Sequence, residues 1–131
     1  MSPIYWSRSD YTEVTHKAKN ETIEKINNIF NFCKEQNIKF LVVSVPFYEQ
    51  VYYENLIGSN YNMTYPQKYI EDYAGSKNIF YLDLLPQLRE YVRNNPKEKL
   101  YNEDGLHFNN NGHKITGSLV LNFLKDKLLP N

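Results

Sequence analysis

The residues best suited to chemistry lie near the carboxyl end of the chain, in the segment YNEDGLHFNNNGHK (101–114). Asp104 and His107 are three residues apart, so one turn can bring the carboxylate against the imidazole, and Gly105 between them can adopt a positive φ. A carboxylate bound to one ring nitrogen fixes the tautomer and leaves the other nitrogen available to take a proton from a nucleophile. The spacing therefore predicts the base half of a Ser-His-Asp triad.

Other interpretations of this segment are compatible with its residues. Asp and Asn are common in turns and at helix N-caps, so Asn109, Asn110 or Asn111 can cap the last helix without a catalytic purpose. His113 stands at the helix start, where capping or packing is its expected role. A metal site that adds His113 to the Asp–His pair lacks a fourth ligand at motif spacing. We therefore predict that no metal or other cofactor binds here.

The elements that position this segment alternate between helix and strand. Apolar residues at three- and four-residue spacing predict an amphipathic helix over residues 12–36. The apolar run over residues 38–47, stopped by Pro46, predicts a strand buried on both faces. A second strand is predicted in NIFYLDL (78–84), where Asp83 can end the strand and help to start the next helix.

Helices are predicted for most of the remaining chain. A short helix is expected over residues 48–57, a second between Pro66 and Gly75, a third through PQLREYVRNN (86–95), and a last one with apolar positions over residues 115–128. This order predicts an α/β fold with a parallel sheet covered by helices. Two strands make a thin sheet, so either PIYW (3–6) supplies another strand or part of the fold lies outside this chain.

Length and charge narrow the classes of function. The 131 residues fit one domain, and Lys plus Arg balance Asp plus Glu at fifteen each. No basic stretch is long enough to follow a phosphate backbone, so nucleic acid is not an expected partner. The sequence shows neither a membrane span nor a secretion signal, which leaves localisation open. Cys33 is expected to be a small core residue.

The segment EDGLHFNNNGHKITGSLVLNFL (103–124) resembles the final block of the SGNH (GDSL-type) hydrolases. In that block an Asp, two residues and a His precede an Asn- and Gly-containing turn and the last helix. INNIFNFCKEQNIKFLVVSVPF (26–47) is similar to the family's helix and central strand, and NIFYLDLLPQL (78–88) to a later strand. The resemblance, which covers most of the chain after about Thr12, implies a three-layer α/β/α flavodoxin-like fold. It also implies ester hydrolysis or acyl transfer, with His107 as general base and Asp104 as its orienting carboxylate.

The sequence departs from this family at the nucleophile. Neither the Gly-Asp-Ser block nor the later Gly and Asn that contribute to an oxyanion hole appears. Ser44 lies inside the apolar strand and is expected to be packed, and no other serine stands on a strand-to-helix elbow. The closest substitutes are Ser7 and Ser9, and the remaining serines include Ser59, Ser76 and Ser118. We expect one incomplete SGNH hydrolase-like domain over residues 1–131, the C-terminal half to two thirds of the fold, with weak or no esterase activity alone.

Two classes of function follow from these features. The first is removal or transfer of an acyl group, for example acetyl, on a small ester or an acylated carbohydrate or lipid. The alternative is a non-catalytic binding or assembly module that keeps the scaffold, because many tyrosines and an apolar edge strand suit binding to a sugar or another chain. A homodimer whose second copy supplies the missing strands is a further alternative.

Overall fold

A computed structural model describes residues 7, 12–53 and 62–129 of the chain. These residues form a mixed α/β fold with five α-helices and a two-stranded parallel sheet. A π-helical turn (Leu124–Leu128) continues the last helix. The elements in chain order are α1 (Glu13–Glu35), β1 (Leu41–Ser44), α2 (Tyr48–Tyr52), α3 (Tyr65–Lys77), β2 (Phe80–Asp83), α4 (Leu85–Asn94) and α5 (Asn110–Phe123).

Several sequence-based expectations fall outside the described residues. The strand considered at PIYW (3–6) is one of them, and so is the end of the helix predicted over residues 48–57. The serines Ser9 and Ser59 also lie outside the described residues.

Helix α1 forms where the apolar spacing predicts it, but its buried residues are Thr15 and Lys19, and Ile29 of the predicted apolar face is exposed. The Thr12 hydroxyl accepts a hydrogen bond from the Thr15 backbone N–H at 3.3 Å and so caps the first turn. The prediction that Gly75 ends α3 is wrong, because the helix continues through Lys77. Asn78 ends it in a left-handed conformation with φ of 55°, which Asn tolerates better than most residues.

The two strands run parallel, as predicted. Val43 is opposite Leu82 and Ser44 is opposite Asp83, so both strands end at the same edge of the sheet. The prediction that β1 is buried on both faces is wrong, because all four of its residues are only half-buried. The physical reason is the width of the sheet: among the described residues β1 has one neighbouring strand, which leaves its other edge open.

Helices pack on both faces of the sheet. On one face Leu82 joins a core of Leu84, Leu85 and Leu88, against which α2 and α5 pack. On the other face the hydroxyl of Tyr81 donates to the α3 backbone carbonyl of Gln67 at 3.0 Å. Helix α1 reaches α3 through polar contacts, including a 2.9 Å hydrogen bond from the Tyr73 hydroxyl to Asn27 Oδ1.

The connection between α4 and α5 is anchored in the core at its centre. Leu100 and Tyr101 are both buried within the cluster that includes α2 and α4 side chains. The Tyr101 hydroxyl donates to the Pro46 carbonyl oxygen at 2.7 Å, and the Leu100 backbone N–H donates to the Tyr52 hydroxyl at 3.0 Å. This anchoring fixes the point from which the Asp–His segment leaves the core.

Candidate active site

The segment that bears Asp104 and His107 is a closed loop. Tyr101 and Phe108 form an antiparallel bridge at its base. Inside the bridge, the Asn102 backbone N–H donates to the His107 carbonyl oxygen at 2.8 Å. Gly105 has the positive φ that the sequence predicted, 65°, and allows the chain to turn between these residues. The backbone therefore holds the Asp104 and His107 side chains on one short, hydrogen-bonded turn.

Asp104 uses both of its carboxylate oxygens in this turn. Oδ1 accepts from the backbone N–H groups of Leu106 at 2.9 Å and His107 at 3.0 Å, and Oδ2 lies 2.7 Å from His107 Nδ1. The backbone N–H of His107, followed by the imidazole contact and the Leu106 N–H, lowers the pKa of Asp104 to about 2. The carboxylate is consequently ionised at neutral pH, and it serves both as a turn residue and as a partner for the ring.

His107 presents its second ring nitrogen to solvent. An ionised carboxylate can only accept, so its contact with Nδ1 places the proton of the neutral ring on Nδ1 and leaves Nε2 as an acceptor. The side chain is 76% exposed, and Nε2 has no hydrogen-bond partner among the described residues. The geometry thus combines an oriented imidazole with an accessible proton acceptor. Its catalytic role remains a prediction.

The described serines do not complete a triad with this imidazole. Ser7 is fully buried, and its hydroxyl has no hydrogen-bond partner within the described part of the chain. Ser76 and Ser118 donate to backbone carbonyl oxygens of their own helices, at 2.7 and 3.0 Å. Ser44 Oγ is instead hydrogen-bonded to the Tyr81 hydroxyl, 2.9 Å away. None of these hydroxyls is hydrogen-bonded to His107.

The carboxyl ends of the two strands form a second polar group. Ser44, Tyr81 and Asp83 meet there, and Ser44 lines a cavity of about 290 Å³ instead of being enclosed by packing. Burial raises the pKa of Tyr81 to about 12, so its phenol is a poor base for activating Ser44. Burial also raises the pKa of Asp83, whose Oδ1 accepts from the Leu85 N–H at 2.9 Å, as the predicted helix start requires.

An aromatic cluster of Tyr48, Tyr52 and Tyr101 packs against the Asp–His turn, and it was not predicted from the sequence. A Cβ placed on Gly105 would lie 3.6 Å from Tyr48 Cβ, so the turn packs directly on this tyrosine. Tyr48 stacks on Tyr52 with centroids 4.5 Å apart and meets Tyr101 edge to face at 5.8 Å. The signal in the sequence was the i, i+4 spacing of Tyr48 and Tyr52 on one face of a short helix.

The neighbours of the pair play structural roles. Asn109 is the N-cap of α5, and its Oδ1 accepts from the backbone N–H groups of Asn111 and Gly112 at 2.9 and 3.0 Å. The His113 ring packs edge to face on Phe108 with centroids 5.9 Å apart. The part of the chain that the structure describes contains no group of three or more His, Cys, Asp or Glu placed to hold a metal. The three-ligand metal alternative therefore lacks support.

Comparison with known proteins identified no relative of this chain. No family model, curated protein or solved structure matches the chain. Within the described residues, no helix has both the length and the apolar composition needed to cross a membrane. The site must therefore be interpreted from its own residues.

Proposed function

We propose that this chain is an SGNH hydrolase-like domain that takes part in ester hydrolysis or acyl transfer, with Asp104 and His107 as the base half of a triad. The observation that carries the proposal is the 2.7 Å contact between Asp104 Oδ2 and His107 Nδ1 on a ring that is otherwise exposed. The position of the pair also supports it, because its loop directly precedes the last helix and packs on Tyr48, just beyond the carboxyl end of β1.

The proposed fold is a three-layer α/β/α arrangement of the flavodoxin-like type, of which the described residues form part. Support comes from the parallel pairing of β1 and β2 and from the helices that pack on both faces. The half-buried state of β1 also fits a sheet that continues beyond the two described strands.

In the proposed mechanism His107 Nε2 takes the proton from a serine hydroxyl as that oxygen attacks the carbonyl carbon of the ester. Asp104 stays ionised and stabilises the imidazolium that forms, which its low pKa favours. The imidazolium then returns the proton to the leaving alcohol, and water releases the acyl group by the same route. The nucleophile and the oxyanion donors would come from residues outside the described ranges or from another chain.

The proposed substrate is a small ester in which an acyl group is carried by a carbohydrate or a lipid. No cofactor is needed for this chemistry, because proton transfer and electrostatic stabilisation supply the rate.

Hydrolysis of p-nitrophenyl acetate by the isolated chain tests the role of His107. We expect slow turnover that falls by about 100-fold or to the buffer rate in His107→Ala, because general acid–base catalysis typically contributes that much. His16→Ala and His113→Ala are matched controls, since each removes one of the other two histidines. Hydrolysis that His107→Ala leaves unchanged, or that all three variants lower equally, would contradict the proposal.

A fluorophosphonate probe tests the missing nucleophile separately. We expect no covalent labelling of the isolated chain, because no described serine is hydrogen-bonded to His107. Labelling at a single serine, identified by peptide mass spectrometry, would show that the chain contains its own nucleophile.

Exposed apolar side chains favour a second candidate, a non-catalytic assembly module. Ile29 and Phe32 on α1 are 52% and 61% exposed, and Ile38 just before β1 is 54% exposed. Such residues next to a half-buried sheet would suit a partner chain or a second copy of this one. Light scattering with size-exclusion chromatography tests the homodimer, and a monomer at all concentrations would exclude it.

A further inference from the structure

A cleft opens beside the Asp–His turn, with Asp104 in its wall. Its volume is about 480 Å³, within the roughly 300–1,000 Å³ typical of small-molecule sites. The side chains that line it include Tyr48, Glu49, Lys99, Asn102, Glu103 and Asp104.

The lining offers both hydrogen-bond donors and acceptors. The carboxylates of Glu49 and Glu103 can only accept, the Lys99 ammonium can only donate, and the Asn102 amide can do both. Hydroxyl groups also donate and accept, so a ligand with several hydroxyls can satisfy such a mixed wall. The half-buried ring of Tyr48 adds flat apolar surface, which suits the C–H face of a sugar ring.

The same lining argues against a lipid or an anion. Among the described residues that line the cleft, none has an aliphatic side chain, so an acyl chain would find only polar groups and tyrosine rings. Three carboxylates face one ammonium group, an acidic surplus that would repel a phosphate or carboxylate ligand. The ligand class that this lining favours is therefore neutral and rich in hydroxyl groups.

We propose that this cleft binds a neutral carbohydrate, which would be the alcohol part of the ester substrate. This inference rests on the proposed function for its link to catalysis, because Asp104 belongs to both the cleft and the Asp–His pair. It selects carbohydrate over lipid esters as the substrate class.

The walls of the cleft are held in place before any ligand binds. Tyr48 contacts Tyr52, Tyr53 and Tyr101 at ring-centroid distances of 4.5–5.8 Å. Beside Tyr48, in the turn that packs on it, the Gly105 backbone N–H donates to the Asn102 carbonyl oxygen at 3.1 Å. A site formed in advance loses less conformational entropy on binding.

Titration of the ¹⁵N-labelled full chain with cellotriose, tri-N-acetylchitotriose and sodium hexanoate tests the inference. We expect at least one oligosaccharide to shift the amide signals of Glu49, Lys99 and Glu103, with a Kd of about 1 mM. Glu103→Gln should weaken that binding about tenfold, because it removes a charged acceptor while keeping the shape. Glu24→Gln, an exposed substitution on α1, is the matched control and should leave the Kd unchanged.

The outcomes separate this inference from the proposed function. Oligosaccharide binding at the cleft, together with ester hydrolysis that His107→Ala leaves unchanged, would support the carbohydrate site and overturn the catalytic proposal. Ester hydrolysis that depends on His107, with neither oligosaccharide shifting the cleft signals, would overturn the carbohydrate site alone. Stronger shifts from hexanoate at the same residues would also overturn it, because they would show an anionic, apolar ligand.

Discussion

Two polar regions of the molecule differ in how their groups are connected. In the turn at residues 104–107, a carboxylate and an imidazole are hydrogen-bonded to each other, and the ring is mostly exposed. At the strand ends, Ser44 and Tyr81 are bonded to each other in a half-buried setting near Asp83. Among the described residues, the first region holds the proposed base without a hydroxyl bonded to it, and the second holds a hydroxyl without a base.

This difference shows why residue types alone do not define a catalytic site. Serine, histidine and aspartate are all present among the described residues, yet the serine hydroxyl at the strand ends is bonded to a phenol. The pKa of that phenol is raised to about 12, so it cannot accept a proton at neutral pH. The triad proposed for the Asp–His pair would therefore need a hydroxyl from elsewhere, and the strand ends are better explained as support for the sheet.

The largest expected effect comes from disturbing the base of the Asp–His loop. A Cβ at Gly112 would lie 2.8 and 2.9 Å from Phe108 side-chain atoms and would collide with the Leu100 carbonyl oxygen. We expect Gly112→Ala to lower the free energy of unfolding by about 3 kcal/mol, as overpacking does. Urea unfolding measures this change in the free energy of unfolding. Gly117→Ala, in open space on the same helix, should stabilise by up to about 1 kcal/mol, and equal effects of the two variants would show that this packing is not tight.

A smaller effect is expected from the turn itself. Gly105→Ala forces a residue with a Cβ to keep φ near 65°, which costs about 1–2 kcal/mol. Gly105→Asn should cost less, because Asn tolerates this conformation. Chemical denaturation compares the two variants, and NMR of the His107 ring shows whether the Asp104 contact survives. An alanine variant as stable as the wild type would mean that the turn does not need a left-handed residue.

The strand ends are expected to affect stability and not the reaction. Tyr81→Phe removes the hydrogen bonds of this hydroxyl to Ser44 and to the Gln67 carbonyl oxygen, and should lower the free energy of unfolding by about 1 kcal/mol. Both Tyr81→Phe and Ser44→Ala should leave any His107-dependent hydrolysis of p-nitrophenyl acetate at the wild-type rate. A loss of hydrolysis in Ser44→Ala, with the fold intact, would identify Ser44 as the nucleophile.

The smallest expected effect is a difference between Asp104 and Asp83 in how each changes the free energy of unfolding with pH. Hydrogen bonds lower the pKa of Asp104 to about 2, so its contribution to stability is present above its unfolded pKa of about 4 and is lost as pH falls toward 2. Burial raises the pKa of Asp83, so its effect has the opposite sign: folding becomes less favourable as pH rises above about 4, from its unfolded pKa through its raised folded pKa. Carboxyl-carbon NMR titrations should show the two midpoints on opposite sides of about 4, and coincident midpoints would contradict this contrast.

The sequence predicted the local features of the site better than its surroundings. The three-residue spacing and Gly105 were enough to predict the turn, because these contacts lie within one short loop. The Tyr48 support was not predicted, since it joins residues far apart in the chain. The half-buried state of β1 was also missed, because apolar composition does not reveal how many strands flank it.

The end of α3 shows the same limit on a smaller scale. Gly75 has the residue type of a helix stop, but nothing in its surroundings ends the helix there. Asn78 ends it three residues later with a left-handed conformation, just before β2 begins. Where a strand must start is set by packing across the sheet, which residue propensities alone do not encode.

The proton position on the His107 ring tests the central claim most directly. Ring ¹⁵N chemical shifts, recorded at a pH where the ring is neutral, distinguish a proton on Nδ1 from one on Nε2. We predict that the proton is on Nδ1 in the wild type and moves to Nε2 in Asp104→Asn, whose amide can donate to Nδ1. A wild-type ring protonated mainly on Nε2 would contradict the account, because Asp104 would then not prepare this imidazole to act as a base.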